Sequence, residues 1–359
     1  MIGMVRVYYP NKAVFSKISY KGRNFMDQKV KELIDIKRAN EKVLLSKPNV
    51  IGVDVGFKYV KGKRTDEIVI RTFVKKKENV NSKDEVPRTI DGVKTDVIEE
   101  KEVVLQVLEV PVDVPVLEVE TGRFEPLIGG TSIGPCRTFT NEAGNQVVYV
   151  GTLGAIVKKE ENKFYALSNF HVMCVDSSFA RGDEMTQPGR PDGGSCSNDL
   201  IGKLDSACLS DKFNCQNKQV DAAISTIENR AVSSEILNVG KVKGKALPAL
   251  GTVVRKQGRT TELTFGTVTG LDRTVPISYG PSIGTVTLTN QITIAPDTTR
   301  NPRFSDHGDS GSVIVYEQNR VIGLLFGGTM DGAATFANHF SDVEEALGIT
   351  LFTENPVHT

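Results

Sequence analysis

The chain has 359 residues, enough for two or three domains with buried cores. Hydrophobic residues make up 39 % and charged residues 25 %, and Lys plus Arg balances Asp plus Glu at 44 each. This is the composition of a globular protein, with no global charge that would call for nucleic acid or an anionic membrane as partner.

The opening, MIGMVRVYYPNKAVFSK, lacks the apolar core and small-residue cleavage site of a secretory leader. No stretch nears the ~18 apolar residues of a membrane span. The expected location is therefore the cytoplasm. Asp27 to Leu45 follows with apolar residues at Val30, Leu33, Ile34 and Leu44 among charges. That pattern predicts an amphipathic helix, N-capped by Asp27 and barred from continuing by Pro48. Asn49 to Lys77 holds two alternating runs around KGKRTD and reads as a β-hairpin. Its outer edge, Gly52 to Val74, can pair with another subunit, giving a homo-oligomer, or be covered within the chain. The run Lys75 to Lys77 reads as a solvated strand end. VPRTIDGVKTDVIEE adds a further short strand or two. Residues 1–112 thus form a small α+β N-terminal domain, and the proline-punctuated stretch 113–127 an extended linker.

Beyond the linker the chain turns rich in Gly, Thr, Val and Ile, with short strands and frequent turns, the pattern of an all-β barrel or sandwich. Only SDVEEALGI near the end reads as a helix. Cys136, Cys174, Cys196, Cys208 and Cys215 are odd in number and contain no CxxC pair. They read as plain thiols rather than a disulfide framework or a zinc site.

The chemistry concentrates in DHGDSGSVIV, Asp306 to Val315. A sharp Gly-Asp-Ser-Gly turn presents one hydroxyl beside backbone N–H groups, the parts of a nucleophile and an oxyanion hole. A serine needs a base, and the chain has four histidines. His358 lies in the tail, and His339 caps or packs the last helix. His307 is too near Ser310 in the same turn to face its hydroxyl and reads as lining the cleft. His171, in FYALSNFHVMC, closes an apolar strand and is the candidate base. Asp221, in QVDAAIS, sits beside apolar residues, so its carboxylate needs a partner, and it is the candidate orienting acid. Asp199, Asp205 and Asp211 fall in a loop-like segment and read as solvated.

Histidine, aspartate and serine in this order resemble the chymotrypsin-like serine peptidases of bacterial type. LSNFHV is similar to their histidine motif, GRTTELTFGTV to an early strand of their second barrel, and FSDHGDSGSVIV with VIGLLFGG to their serine loop and substrate-binding strand. NVIGVDVGFKYVKGKRTDE, VPRTIDGVKTDVIE and GGTSIG…GTLGAIV also resemble a two-part architecture shared with plant proteins of the Narrow-leaf type. The resemblance implies a mainly β fold. It would be a chymotrypsin-like double β-barrel preceded by the α+β domain. Residues 128–235 would be the first barrel with His171 and Asp221, 236–350 the second with Ser310, and 351–359 a tail.

The implied activity is that of a serine endopeptidase, with a protein or peptide substrate and no cofactor or metal. Ser310 is the implied nucleophile, His171 the base, Asp221 the orienting acid, and the N–H groups of Gly308 and Ser310 the oxyanion hole. Phe304, Ser305, His307, Leu325, Phe326, Gly327 and Gly328 would line the substrate site. No aspartate stands at Phe304, which argues against a basic preference and for a small or apolar side chain. Ile128-Gly-Gly is similar to the activated N-terminus of digestive peptidases, but lacks a basic cleavage site before it. A local partner for Asp309 is therefore expected. The alternatives are a catalytically silent binding or assembly module of the same fold, and an esterase using the same three residues.

Overall fold

The computed structural model describes residues 20–112, 122–160, 163–213 and 215–357; His358 lies outside them. Helix α1 spans Tyr20–Leu45 and so begins before Asp27, which lies inside it and caps nothing. No proline interrupts Tyr20 to Asp27, and an interior aspartate costs a helix only a few tenths of a kcal/mol, about 0.7 at most. Among its described side chains, Val30, Leu33 and Leu44 are the buried apolar ones. They pack on a hairpin of strands β1 (Val50–Val60) and β2 (Lys63–Val74).

The hairpin is built into a larger sheet. Val93–Glu99 pairs parallel with β2, and β1 pairs antiparallel with the long strand Glu262–Ser278, Gly56 opposite Gly270. Both hairpin edges are thus covered within the chain. From Glu262–Ser278 the sheet continues through Thr285–Pro296, Thr335–His339, Arg320–Thr329, Val313–Tyr316 and Val253–Gly258. The last of these pairs back onto Glu262–Ser278 and closes a barrel.

Buried charge ties the hairpin to this barrel. Asp54 accepts from Arg71 Nε at 2.6 Å within the hairpin and from Thr293 Oγ1 of the barrel at 3.1 Å, and Arg273 of the barrel donates through Nη2 to Glu100 Oε2 at 2.5 Å. The Arg273 guanidinium also lies 3.6 Å from the Phe73 ring centre. Burial pushes the Glu100 carboxyl up and the Arg273 guanidinium down, against their mutual attraction. Lys37 of α1 is buried with Asp272 at 3.2 Å.

The other sheet wraps Thr131–Pro135, Gln146–Leu153, Ala155–Lys158, Phe164–Ser168, Leu200–Leu209 and Asp221–Thr226 around a core that includes Ile133, Leu153, Phe170 and Leu204. The expectation of plain thiols is corrected here. Cys136 is bonded to Cys196 and Cys208 to Cys215, while Cys174 stays free and buried. The fold brings the paired Cα atoms to 5.8 and 5.0 Å, the ordinary range for a bridge, and irregular sequence spacing cannot show that. Among the described residues no helix is long and apolar enough to cross a membrane, and no group of His, Cys, Asp and Glu is placed to hold a metal.

Candidate active site

Between the barrels lie Ser310, His171 and Asp221, and register explains how two of them meet. Phe164–Ser168 pairs antiparallel with Asp221–Thr226, Ser168 opposite Ala223, so the end of one strand meets the start of the other. His171 is not in the strand itself but just beyond it, in the single-turn helix Phe170–Met173. Its Nδ1 lies 2.5 Å from Asp221 Oδ2, and its backbone N–H donates to Asp221 Oδ1 at 3.3 Å.

Asp221 is fully buried and has further partners that the sequence did not suggest. Tyr279 O–H donates to Oδ2 at 2.7 Å. The Asp221 backbone N–H donates to Asn338 Oδ1 at 3.0 Å, and Asn169 Nδ2 donates to its carbonyl at 2.7 Å. Burial first, and then the adjacent carboxylate, push the Tyr279 hydroxyl well above the ordinary tyrosine range, so it remains a donor. Replacing Tyr279 with phenylalanine removes a hydrogen bond to a buried charge, and urea unfolding should report about 1.5–3 kcal/mol of lost stability. No sequence motif marks Tyr279 or Asn338; only the path of the second barrel brings them to Asp221.

Ser310 sits in a turn that two glycines make possible. Gly308 has φ +100 and Gly311 φ +95, and a Cβ on Gly308 would stand 2.1 Å from Thr260 Oγ1. The GRTT stretch acquires a physical reason in the same place. A Cβ on Gly258 would meet Asp309 Oδ1 at 2.5 Å, and Arg259 Nε donates across to Asp192, in the short helix Arg190–Asp192, at 3.0 Å. The N–H groups of Thr260 and Thr261 donate to Asp309 Oδ1 at 2.9 and 3.0 Å.

Asp309 also faces Lys256 Nζ at 3.2 Å, both side chains fully buried. Burial pushes this ammonium below the ordinary lysine range, opposed by Asp309. Lys256 and local N–H groups thus surround Asp309 as an internal cation and donors, while Ile128 lies in the strand Leu127–Gly129, paired with Val232–Ile236.

The Gly308 and Ser310 N–H groups converge on one oxygen, the carbonyl of Gln106, at 2.7 and 3.1 Å. Ser310 Oγ donates to the Phe326 carbonyl at 3.1 Å, rather than to His171. His171 Nε2 has no hydrogen-bond partner among the described residues. Ser310 is fully buried and His171 2 % exposed, because chain lies in the cleft above them.

The other candidate residues divide. Gly327 and Gly328 pair with Leu105 and Val104, the Phe326 carbonyl accepts from the Gln106 N–H at 3.3 Å, and His307 Nδ1 is 3.1 Å from the Val107 carbonyl. Ser305 Oγ shares a hydrogen bond with Thr335 Oγ1 at 2.6 Å, and the Phe304 and Leu325 carbonyls hold the surrounding turn. His339 stands at the N-cap of the last helix, Phe340–Leu347, without a side-chain cap bond, and burial pushes its imidazole pKa down. Asp205 pairs with Lys159 and Arg181, and Asp199 with Arg123. None of these last three approaches Ser310.

The fold is mainly β, with one sheet closed into a barrel and a second large sheet beside it. No family model and no curated protein matches the chain. Among solved structures it is similar to Protease A of Thermobifida fusca, at 20 % identity and a TM-score of 0.42, over 63 % of this chain and 98 % of that one. It is similar to Cellulomonas bogoriensis chymotrypsin, at 19 % identity and a TM-score of 0.41, over 63 % of this chain and 98 % of that one. A Nocardiopsis protease aligns at 18 % identity and a TM-score of 0.42, over 63 % and 98 %. These likenesses assign no role to any residue of this chain.

Proposed function

We propose that the protein is a serine endopeptidase hydrolysing peptide bonds through Ser310, His171 and Asp221. The observation that carries this reading is the pair of N–H groups, Gly308 and Ser310, aimed at a single carbonyl oxygen beside the serine hydroxyl. An oxygen held there gains hydrogen-bond strength as it becomes an oxyanion, which is stabilisation specific to the transition state.

For attack, Ser310 Oγ turns about χ1 from the Phe326 carbonyl to the unpartnered His171 Nε2. His171 takes the hydroxyl proton as Oγ bonds to the substrate carbonyl carbon. Asp221 keeps the other imidazole proton on Nδ1 and stabilises the imidazolium. The tetrahedral intermediate collapses as His171 gives the proton to the leaving amine. Water then attacks the acyl-enzyme by the same proton route, releasing the carboxylate.

Covalent labelling by a fluorophosphonate probe tests this directly. Wild type should be labelled on Ser310, and Ser310→Ala and His171→Ala should not. A folded wild-type chain that resists the probe under all conditions would favour the silent binding module.

A further inference from the structure

Residues Val103 to Pro111 run through the cleft from end to end. On one side of Ser310, Val103, Val104 and Leu105 pair antiparallel with Thr329, Gly328 and Gly327, extended by a bond from the Met330 N–H to the Glu102 carbonyl at 2.9 Å. A Cβ on Gly327 would lie 2.7 Å from the Val104 carbonyl, so this glycine admits the strand. On the other side, Leu108, Glu109, Val110 and Pro111 pair antiparallel with Val150, Tyr149, Val148 and Val147 of the first barrel. Between the two ladders stands the Gln106–Val107 peptide, with the Gln106 carbonyl on the Gly308 and Ser310 N–H groups. His307 Nδ1 meets the next carbonyl, that of Val107.

A strand held along both barrels, with one carbonyl on the oxyanion donors, is how a peptide must lie to be cut at that carbonyl. Gln106 is 3 % exposed. It lies against Gly328, whose added Cβ would come within 2.7 Å of its Nε2. Bulk is limited at this point, and the side chain filling the space is a neutral amide, neither small nor apolar.

We propose that the chain is its own substrate and that Ser310 cleaves the Gln106–Val107 bond within the same molecule. The inference rests on the serine-peptidase reading. Ser310 Oγ bonds to the Gln106 carbonyl carbon while its proton passes through His171 to the Val107 nitrogen, and the C–N bond breaks. Water then hydrolyses the Gln106 ester, regenerating Ser310 and leaving a carboxylate at Gln106 and an amine at Val107. Before that cut the segment 103–107 denies the site to other peptides. After it, pairing of β1 with Glu262–Ser278 and the buried Arg273–Glu100 contact hold the N-terminal piece in place. The same pocket gives the enzyme a preference for glutamine at the acyl side of the bond it cuts.

The experiment is intact-mass analysis of purified full-length chain over time, with Ser310→Ala and Gln106→Trp in parallel, and fluorophosphonate labelling of each sample. Wild type should yield two pieces, one ending at Gln106 and one starting at Val107, co-eluting until denatured. The rate constant should not change over about tenfold in protein concentration. Ser310→Ala should stay whole, and Gln106→Trp should be cut more slowly by about tenfold or more, since the space beside Gly328 does not admit the indole. Cleavage that also occurs in Ser310→Ala, falls at another bond or scales with concentration overturns the proposal. So does a wild-type chain that stays intact. In that last case, labelling of Ser310, in the intact chain or in a Gly327→Leu variant whose added side chain displaces the strand at Val104, leaves the peptidase reading standing, and absence of labelling in both removes it as well.

Discussion

His171→Ala lowers turnover of a peptide substrate by about 10⁶-fold, because serine and base act as one unit and losing either removes nearly the whole effect. Asp221→Asn costs about 10⁴-fold. Its carboxylate accepts from His171 Nδ1, the His171 N–H and Tyr279 O–H together. An amide in its place puts a donor towards Nδ1 and favours the tautomer whose Nε2 already carries the proton. The kcat of each variant, measured with far-ultraviolet circular dichroism to establish folding, gives the comparison. Equal, small losses in both would mean that His171 is structural and that another group takes the serine proton. Tyr279→Phe leaves the Asp221–His171 bond intact, so its effect belongs mainly to stability.

Lys256→Met should be the most destabilising single change near the site. It leaves the Asp309 carboxylate buried without its cation, a loss of about 3–5 kcal/mol where one partner of a buried pair is removed. Asp309 lies between the two residues whose N–H groups form the oxyanion site, and it also accepts from Asp306 N–H at 2.9 Å. Disturbing it moves the donors themselves, so kcat should fall by roughly the 10²–10³-fold that loss of one oxyanion donor costs. Combining Lys256→Met with Asp309→Asn removes both charges and should recover much of the stability. Urea unfolding of the two single variants and the double variant measures the coupling. A Lys256→Met protein as stable as wild type would show that the backbone N–H groups alone satisfy Asp309.

The sequence was most informative where chemistry and local geometry coincide. DHGDSGS declares a turn that needs glycine at positive φ, and Gly308 and Gly311 have it. The alternation around KGKRTD marked the hairpin, but it did not show that Gly52–Phe57 and Ile68–Val74 are buried on both faces, which the covering helix and sheet decide. The start of α1 was less legible: nothing between Tyr20 and Asp27 forbids helix, and a candidate cap is only a local preference. Cysteine pairing was not legible at all, since Cys136 and Cys196 are 60 residues apart and only the fold makes them neighbours.

Residue type and short-range pattern were enough to set the candidate reacting groups and the mainly β character. What surrounds those groups came from the packing of the two barrels. Tyr279 and Asn338 reach Asp221 across 58 and 117 residues, and Lys256 reaches Asp309 in the serine turn from the strand Val253–Gly258. The same packing lays Val103 to Pro111, an ordinary apolar stretch ahead of the linker, in the cleft with Gln106 on the oxyanion donors. Strand pairing uses backbone groups that every residue carries, so the sequence of a strand does not name its partner; only the packed barrels do.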